Sequence, residues 1–306
     1  MSVSLRAVPP DSVRTAPADR RRAVLDVLRR ARRRLELSMF RCDDAEVLTE
    51  LARATARGVE VSVLLTPRAK GHPADLETLR SALAATGAAV HRYANPAVKY
   101  HAKYLVVDEG PAIVASGNFT RKCFERTVDA VVVTHDPDVV AGLRALHAAD
   151  CGGAPLPPAL SMRLIIAPER SRGLLAALLA DARSSIRVID PKLCDPRMMG
   201  LLSARRSDGL TVEIFDGPRI GALESHGKIL LVDDRVALVG SLAFAPVSLD
   251  RRREVAIVVE EPRAVADVAR LFRTAAAAQS RRGHRSRSAF AASRAAARYP
   301  AEEALC

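Results

Sequence analysis

Apolar positions along the chain follow two periods. Val24, Val27, Leu28 and Ala31 recur at helical spacing and predict a helix over 18–33. Helices are also predicted over 44–57, ending at Gly58, over 73–86 and over 137–149. Short apolar runs between them predict strands over 4–8, 35–40, 59–65, 102–107, 111–115 and 128–134. The order then repeats, with strands expected over 162–166, 186–190, 211–215, 228–232, 235–239 and 254–260, and helices over 169–183, 195–206 and 263–277. Such alternation implies an α/β layer architecture in which helices cover a sheet. The runs "KYLVV" and "KILLV" are apolar on both faces and suit central, doubly buried strands. "CGGAPLPPA" (151–159) is rich in Gly and Pro and reads as a linker. The expected organisation is a first domain over 1–152, a second over 153–278, and a basic, flexible tail over 279–306 that has no apolar period.

The two parts are related in detail. "HAKYLVVDEGPAIVAS" (101–116) and "HGKILLVDDRVALVGS" (226–241) agree at half their positions. One gapless offset of 125 residues carries His101 to His226, Lys103 to Lys228, Asp108 to Asp233, Ser116 to Ser241 and Asp129 to Glu254. The chain therefore contains an internal duplication. Residues 66–100 of the first half correspond to only 217–225 of the second. The first half thus carries a helix-bearing insertion of the kind that shapes a substrate entrance.

Composition narrows the class. About half of the 306 residues are apolar, enough for a sizeable core, and no apolar run reaches the ~20 residues of a membrane span. The N-terminus lacks the apolar stretch of a secretory signal. Five scattered cysteines without a CxxC pair predict reduced thiols, a cytoplasmic setting and no structural zinc. The net charge of +12 is terminal: residues 1–34 carry +7, residues 281–306 carry +4, and the body is left near neutral. This distribution does not require a basic nucleic-acid groove and fits peripheral contact with an anionic membrane as well.

The repeated H-x-K-x4-D phrase supplies the candidate chemistry. Only six of the 47 basic residues are lysine, yet both motif positions are lysine, a compact point charge where arginine would be a broad fork. In a strand, residues i and i+2 face one side, so His101 points with Lys103 and His226 with Lys228. If the halves pack about a pseudo-two-fold axis, two imidazoles and two ammoniums converge on one pocket. One imidazole can attack phosphorus, the other can protonate the leaving oxygen and then activate water or an alcohol, and the ammoniums can neutralise the non-bridging oxygens. None of these steps calls for a metal or another cofactor.

With this paired motif, over residues of about 4–277, the chain resembles the phospholipase D superfamily. The resemblance implies two phospholipase D-like domains, each a mixed sheet flanked by helices, packed about a pseudo-two-fold axis around one shared active site. It further implies that His101 is the nucleophile and His226 the acid/base. Lys103, Lys228, Asn118, Ser116 and Ser241 would hold phosphate, Asp129 and Glu254 would each orient a histidine, and Asp108 and Asp233 would be structural. Where the second half should carry asparagine, Ala243 stands. His72, His91, His135, His147 and His284 read as surface or loop residues.

Three functions are compatible with these residues. The first is a metal-independent phosphodiesterase or phosphatidyltransferase acting on phospholipids through a phosphohistidine, of the phospholipase D or cardiolipin synthase type. The second is a nuclease using the same two histidines, which a near-neutral body and only 4% aromatic residues disfavour. The third, suggested by Ala243, is a weakly active phosphodiester-binding module.

Overall fold

The computed structural model describes residues 8–67 and 73–289. The first half runs β1 (Ser12–Arg14), α1 (Pro17–Arg30), β2 (Arg34–Met39), α2 (Ala45–Ala56), β3 (Glu60–Leu65), α3 (Pro73–Ala84), β4 (Ala89–Arg92) and β5 (Lys99–Tyr100). It continues through β6 (Tyr104–Val107), β7 (Ala112–Ala115), α4 (Arg121–Glu125), β8 (Thr127–Val128), β9 (Val131–Thr134) and α5 (Pro137–Gly152). The second half runs β10 (Leu164–Ala167), α6 (Ser171–Ala180), β11 (Ser185–Ile189), α7 (Pro196–Ser207), β12 (Thr211–Phe215), β13 (Arg219–Ile220) and β14 (Leu223–Ser225). It ends with β15 (Lys228–Val232), β16 (Val236–Gly240), α8 (Pro246–Arg251), β17 (Arg252–Val259) and α9 (Pro262–Ala289).

Each half builds a mixed sheet, and six strands of the first match six of the second in order, β4 having no counterpart. The first has the order β1-β9-β7-β6-β2-β3-β4; the second has β10-β17-β16-β15-β11-β12, with β5 added beside β17. In both, a parallel pair (β2 with β3, β11 with β12) adjoins an antiparallel run that contains the motif strand. The motif strands β6 and β15 are buried along their whole length. Alternation explains why they are apolar throughout. Tyr104 and Val106 join Ile229 and Leu231 in a core lying between the sheets, while Leu105 and Val107 face the outer helices of the first half, and Leu230 and Val232 those of the second. α5 and α9 contribute Val139, Leu143, Val268 and Phe272 to the central core.

Each motif aspartate ends its strand with a left-handed residue. Asp108 has φ of 42° and Asp233 φ of 54°, a conformation unusual for a residue with a side chain. Backbone bonds offset its cost: Asp108 accepts from the amides of Arg32, Arg33 and Arg34 at 2.8, 2.8 and 3.0 Å. Asp233 does the same for Arg183, Ser184 and Ser185 at 2.8, 2.7 and 2.8 Å. Both carboxylates thus clamp the loop that feeds the neighbouring strand.

Several expectations are corrected. Most of the strand expected at 4–8 lies outside the described residues, and the edge strand is β1. The single strand expected over 128–134 is split into β8 and β9, because β8 pairs with the other half while β9 stays in its own sheet. α9 continues to Ala289, so the start of the segment read as a flexible tail is helical; the rest of it lies outside the described residues. His147 is buried, with Ser38 Oγ at 2.9 Å from Nδ1 and Ser62 Oγ at 2.8 Å from Nε2. Helical spacing places His147 on the face of α5 that covers the sheet. His72 lies outside the described residues. Cys42, Cys123 and Cys151 carry free thiols, whereas Cys194 is disulfide-bonded; spacing along a chain does not report which sulfurs meet in space. Among the described residues, no helix is long and apolar enough to cross a membrane.

Candidate active site

The site is assembled by an exchange between the halves. β5, just ahead of His101, leaves its own sheet and pairs in parallel with the start of β17 (Lys99 with Arg252, Tyr100 with Arg253). β14, just ahead of His226, pairs in the same way with β8 (Glu224 with Thr127, Ser225 with Val128). The His101 amide donates to the Arg253 carbonyl at 2.9 Å, and the Gly227 amide to the Val128 carbonyl at 2.7 Å. Gly227 is required by this approach, since a Cβ there would stand 2.8 Å from the Val128 oxygen.

The exchange pairs each histidine with the acid of the opposite half. His101 Nδ1 lies 2.8 Å from Glu254 Oε2, and His226 Nδ1 lies 3.0 and 3.1 Å from the two Asp129 oxygens. A carboxylate on Nδ1 fixes the tautomer and leaves Nε2 as the outward nitrogen. Both acids are themselves held. Ser116 Oγ donates to Asp129 Oδ1 at 2.6 Å and Thr127 Oγ1 to Oδ2. Ser248 Oγ donates to Glu254 Oε1 at 3.0 Å.

The residues expected to hold phosphate separate into two groups. Ser116 and Ser241 are fully buried. Their hydroxyls are engaged internally, Ser116 with Asp129 and the Ala130 amide, Ser241 with the amide and carbonyl of Val255. Asn118 instead lines a 460 Å³ cavity together with Phe40, Arg41, Lys122 and His226, and its Oδ1 has no hydrogen-bond partner. At Ala243 the second half is rebuilt: the Ala243 amide donates to Ser248 Oγ at 3.0 Å and the Phe244 amide to Asp190 Oδ2 at 2.6 Å.

Both motif lysines fold back toward their own histidines. Lys103 Nζ, wholly buried, donates to the His101 carbonyl at 2.8 Å and sits 3.2 and 3.3 Å from the two ring nitrogens. Lys228 Nζ donates to the His226 carbonyl. Burial pushes the Lys103 ammonium down to about 7; Glu254 opposes this and Lys228 adds to it. Burial pushes His101 down to about 3; Glu254 opposes this, and the positive charges of Lys103 and Lys228 reinforce it. The bond from His101 of the first half to Glu254 of the second shows that the halves meet here. Burial alone would raise the Asp129 and Glu254 carboxyls. For Asp129, His226 and Arg20 outweigh it; for Glu254, His101 and Lys103 do; both acids are held below the ordinary range.

Phe40, Thr127, Asp190 and Ser248 escaped the sequence reading. Phe40 packs tilted against His101 with ring centroids 4.8 Å apart, and Asp190 is close enough to Lys228 to feel its charge. One signal was available: Phe40 and Asp190 each directly follow the strand that adjoins a motif strand.

Duplicated mixed-sheet halves with histidine–acid pairs exchanged between them define a class, the two-repeat α/β proteins that build one site across the repeat interface. Within it the chain belongs to the phospholipase D-like family: the family model described as "Cardiolipin synthase, PLD-like domain" matches residues 24–150 and 162–275. This family acts on phosphodiesters such as phospholipids or nucleic acids. The fold is similar to polyphosphate kinase from Porphyromonas gingivalis, with a TM-score of 0.65 and 17% identity over 82% of this chain and 45% of that one. It is equally similar to phosphatidylserine synthase from Haemophilus influenzae Rd KW20, with a TM-score of 0.65 and 12% identity over 86% of this chain and 85% of that one. The chain thus spans less than half of the polyphosphate kinase. No curated protein matches it.

Proposed function

We propose that the chain is a phosphodiesterase or phosphatidyltransferase that acts on phospholipids through a phosphohistidine. The observation that carries this is the crosswise pair of histidines, each held at Nδ1 by a carboxylate of the other half. His101, kept neutral by burial, presents the Nε2 lone pair to phosphorus. As the N–P bond forms, the bond to the leaving oxygen breaks, and His226 gives that oxygen its proton. His226 then takes a proton from water or an alcohol, whose oxygen attacks phosphorus and releases His101. Lys103 and Lys228 balance the charge on the non-bridging oxygens, and the Asn118 amide N–H donates to them. Ser116, with Thr127 and Ser248, serves the step indirectly by fixing the acids, and Ser241 by fixing β17 at Val255, beside Glu254. Asp108 and Asp233 act as structural clamps.

A phospholipid is favoured over a nucleic acid by what adjoins the cavity. A second cleft of 290 Å³, lined by Leu48, Leu76, Leu79 and Ala82 together with Asp75 and Thr78, shares Arg41 and Asp43 with the cavity at His226. An apolar arm leaving the phosphate would find apolar wall there, built in part from α3 of the first-half insertion. Exposed Arg22, Arg29, Arg30 and Arg32 at α1 support peripheral attachment to an anionic membrane on its cytoplasmic side.

The test is turnover in EDTA on anionic phospholipid vesicles, with and without glycerol, beside single- and double-stranded DNA. Headgroup release or transfer to glycerol is expected, with DNA intact. Cleavage of DNA with intact lipid would replace this function by the nuclease, and loss of all turnover in EDTA would overturn the metal-independent scheme.

A further inference from the structure

One group of metal-ligand side chains among the described residues includes a thiol that has no part in the scheme above. Cys123 on α4, Asp129 between β8 and β9, and His226 ahead of β15 bring a sulfur, a carboxylate oxygen and a ring nitrogen within 4.8 Å of one another. Zinc bonds of roughly 2.3 Å to sulfur and 2.0 Å to nitrogen or oxygen place tetrahedral ligand atoms about 3.3–3.5 Å apart. The three atoms therefore need to close by up to about 1.5 Å, within the reach of side-chain torsions. Cys123 and His226 both line the 460 Å³ cavity, so a cation can enter.

The duplication supplies the contrast that gives the cysteine meaning. The 125-residue offset maps Cys123 onto Ser248 and Asp129 onto Glu254. In the second half Ser248 does what a small polar residue does there, donating to Glu254 Oε1 at 3.0 Å. In the first half Ser116 and Thr127 already donate to Asp129, so that support does not require Cys123. A neutral hydroxyl is a poor ligand for a soft divalent cation, whereas a thiolate beside imidazole and carboxylate is a characteristic zinc set. The same backbone geometry thus occurs twice, once with a thiol and once without.

We propose that Cys123, Asp129 and His226 bind a thiophilic divalent cation, zinc foremost, and that its binding switches off phosphoryl transfer. The cation displaces the Cys123 thiol proton, which passes to solvent, and its remaining position is open to water. Whether it binds Nε2 or Nδ1 of His226, it displaces the proton that nitrogen holds, which also passes to solvent, and occupies the lone pair left behind. Either way His226 no longer moves a proton to or from substrate. The inhibitory part rests on the proposed phosphodiester chemistry; the binding part does not.

The full chain, stripped with EDTA, is titrated with Co2+ and then Zn2+, beside Cys123→Ser, which installs the residue of the twin position, and His226→Gln, with thermal melting to confirm that each variant folds. Wild type is expected to show a one-to-one thiolate-to-cobalt charge-transfer band that zinc removes. Both variants should lose that band, and Cys123→Ser should bind zinc at least roughly 100-fold more weakly, the upper end of what losing even an outer partner costs. Wild-type turnover on phospholipid vesicles should fall in step with zinc occupancy and return with EDTA, while Cys123→Ser turns over undiminished in zinc. A missing wild-type band, or equal zinc affinity in Cys123→Ser, would overturn the site. Full occupancy with unchanged turnover would overturn the switch. Wild type inactive on every phosphodiester would defeat the proposed function, and the cobalt band would still decide the site.

Discussion

A carboxylate on Nδ1 matters only to the imidazole it touches, so removing one acid should affect the histidine of the other half. Asp129→Asn is expected to lower kcat by on the order of 10²-fold or more and to shift the Nδ1 resonance of His226 in histidine-labelled NMR spectra, leaving His101 in place. A shift of His101 alone would contradict the crosswise pairing. His101 also predicts a pH effect on stability. Its folded value of about 3 lies below its ordinary value of 6.5, so between the two the unfolded chain holds the extra proton. Stability from this residue is then full above pH ~6.5 and falls as pH drops toward ~3. Melting temperatures of wild type should decline over that window more steeply than those of His101→Asn; parallel curves would show that His101 is not buried in neutral form.

At the scale of elements, two features can be tested without touching the reacting groups. Gly227 lets β14 and β8 meet, and Gly227→Ala drives a methyl group into the Val128 carbonyl. A loss of about 1–3 kcal/mol in urea unfolding is expected from such overpacking, with a further fall in kcat as His226 is displaced from Asp129. Unchanged stability would show that the exchange tolerates a side chain. Asp233→Ala removes three backbone bonds at a left-handed residue. It should cost about 2–3 kcal/mol, yet leave kcat per folded molecule near wild type, because the clamp lies at the far end of β15 from His226. A large kcat loss at full stability would give the motif aspartate a part in chemistry.

At the scale of the molecule, the central core and the exchanged strands bind the halves more tightly than the linker does. Leu143, Val239, Ile257 and Phe272 from both halves share one apolar cluster, β5 joins the sheet of the second half, and β13 and β14 take β8 of the first half into a small sheet of their own. A protease site placed between the exposed residues Pro158 and Ala159 and then cut should therefore leave a nicked protein that elutes as one species and keeps its turnover. Separation of the fragments on cutting would show that the linker holds the site together.

By itself the sequence determined the duplication, both motif histidines and lysines, the acids at Asp129 and Glu254, and the doubly buried motif strands. Each of these is written locally, as a period of two, a repeated phrase or a fixed offset. The α3 helix of the insertion and the boundaries of β12 and β15 were equally legible. The tertiary structure alone decided which acid serves which histidine, because β5 and β14 are too short to carry a pattern and their partners lie about a hundred residues or more away. It alone placed the Ser116 and Ser241 hydroxyls in the interior. It alone brought Cys123 to His226 and buried His147 between two serines. Residue type and spacing specify which groups a strand or helix presents; what those groups meet is set by packing between elements distant in sequence.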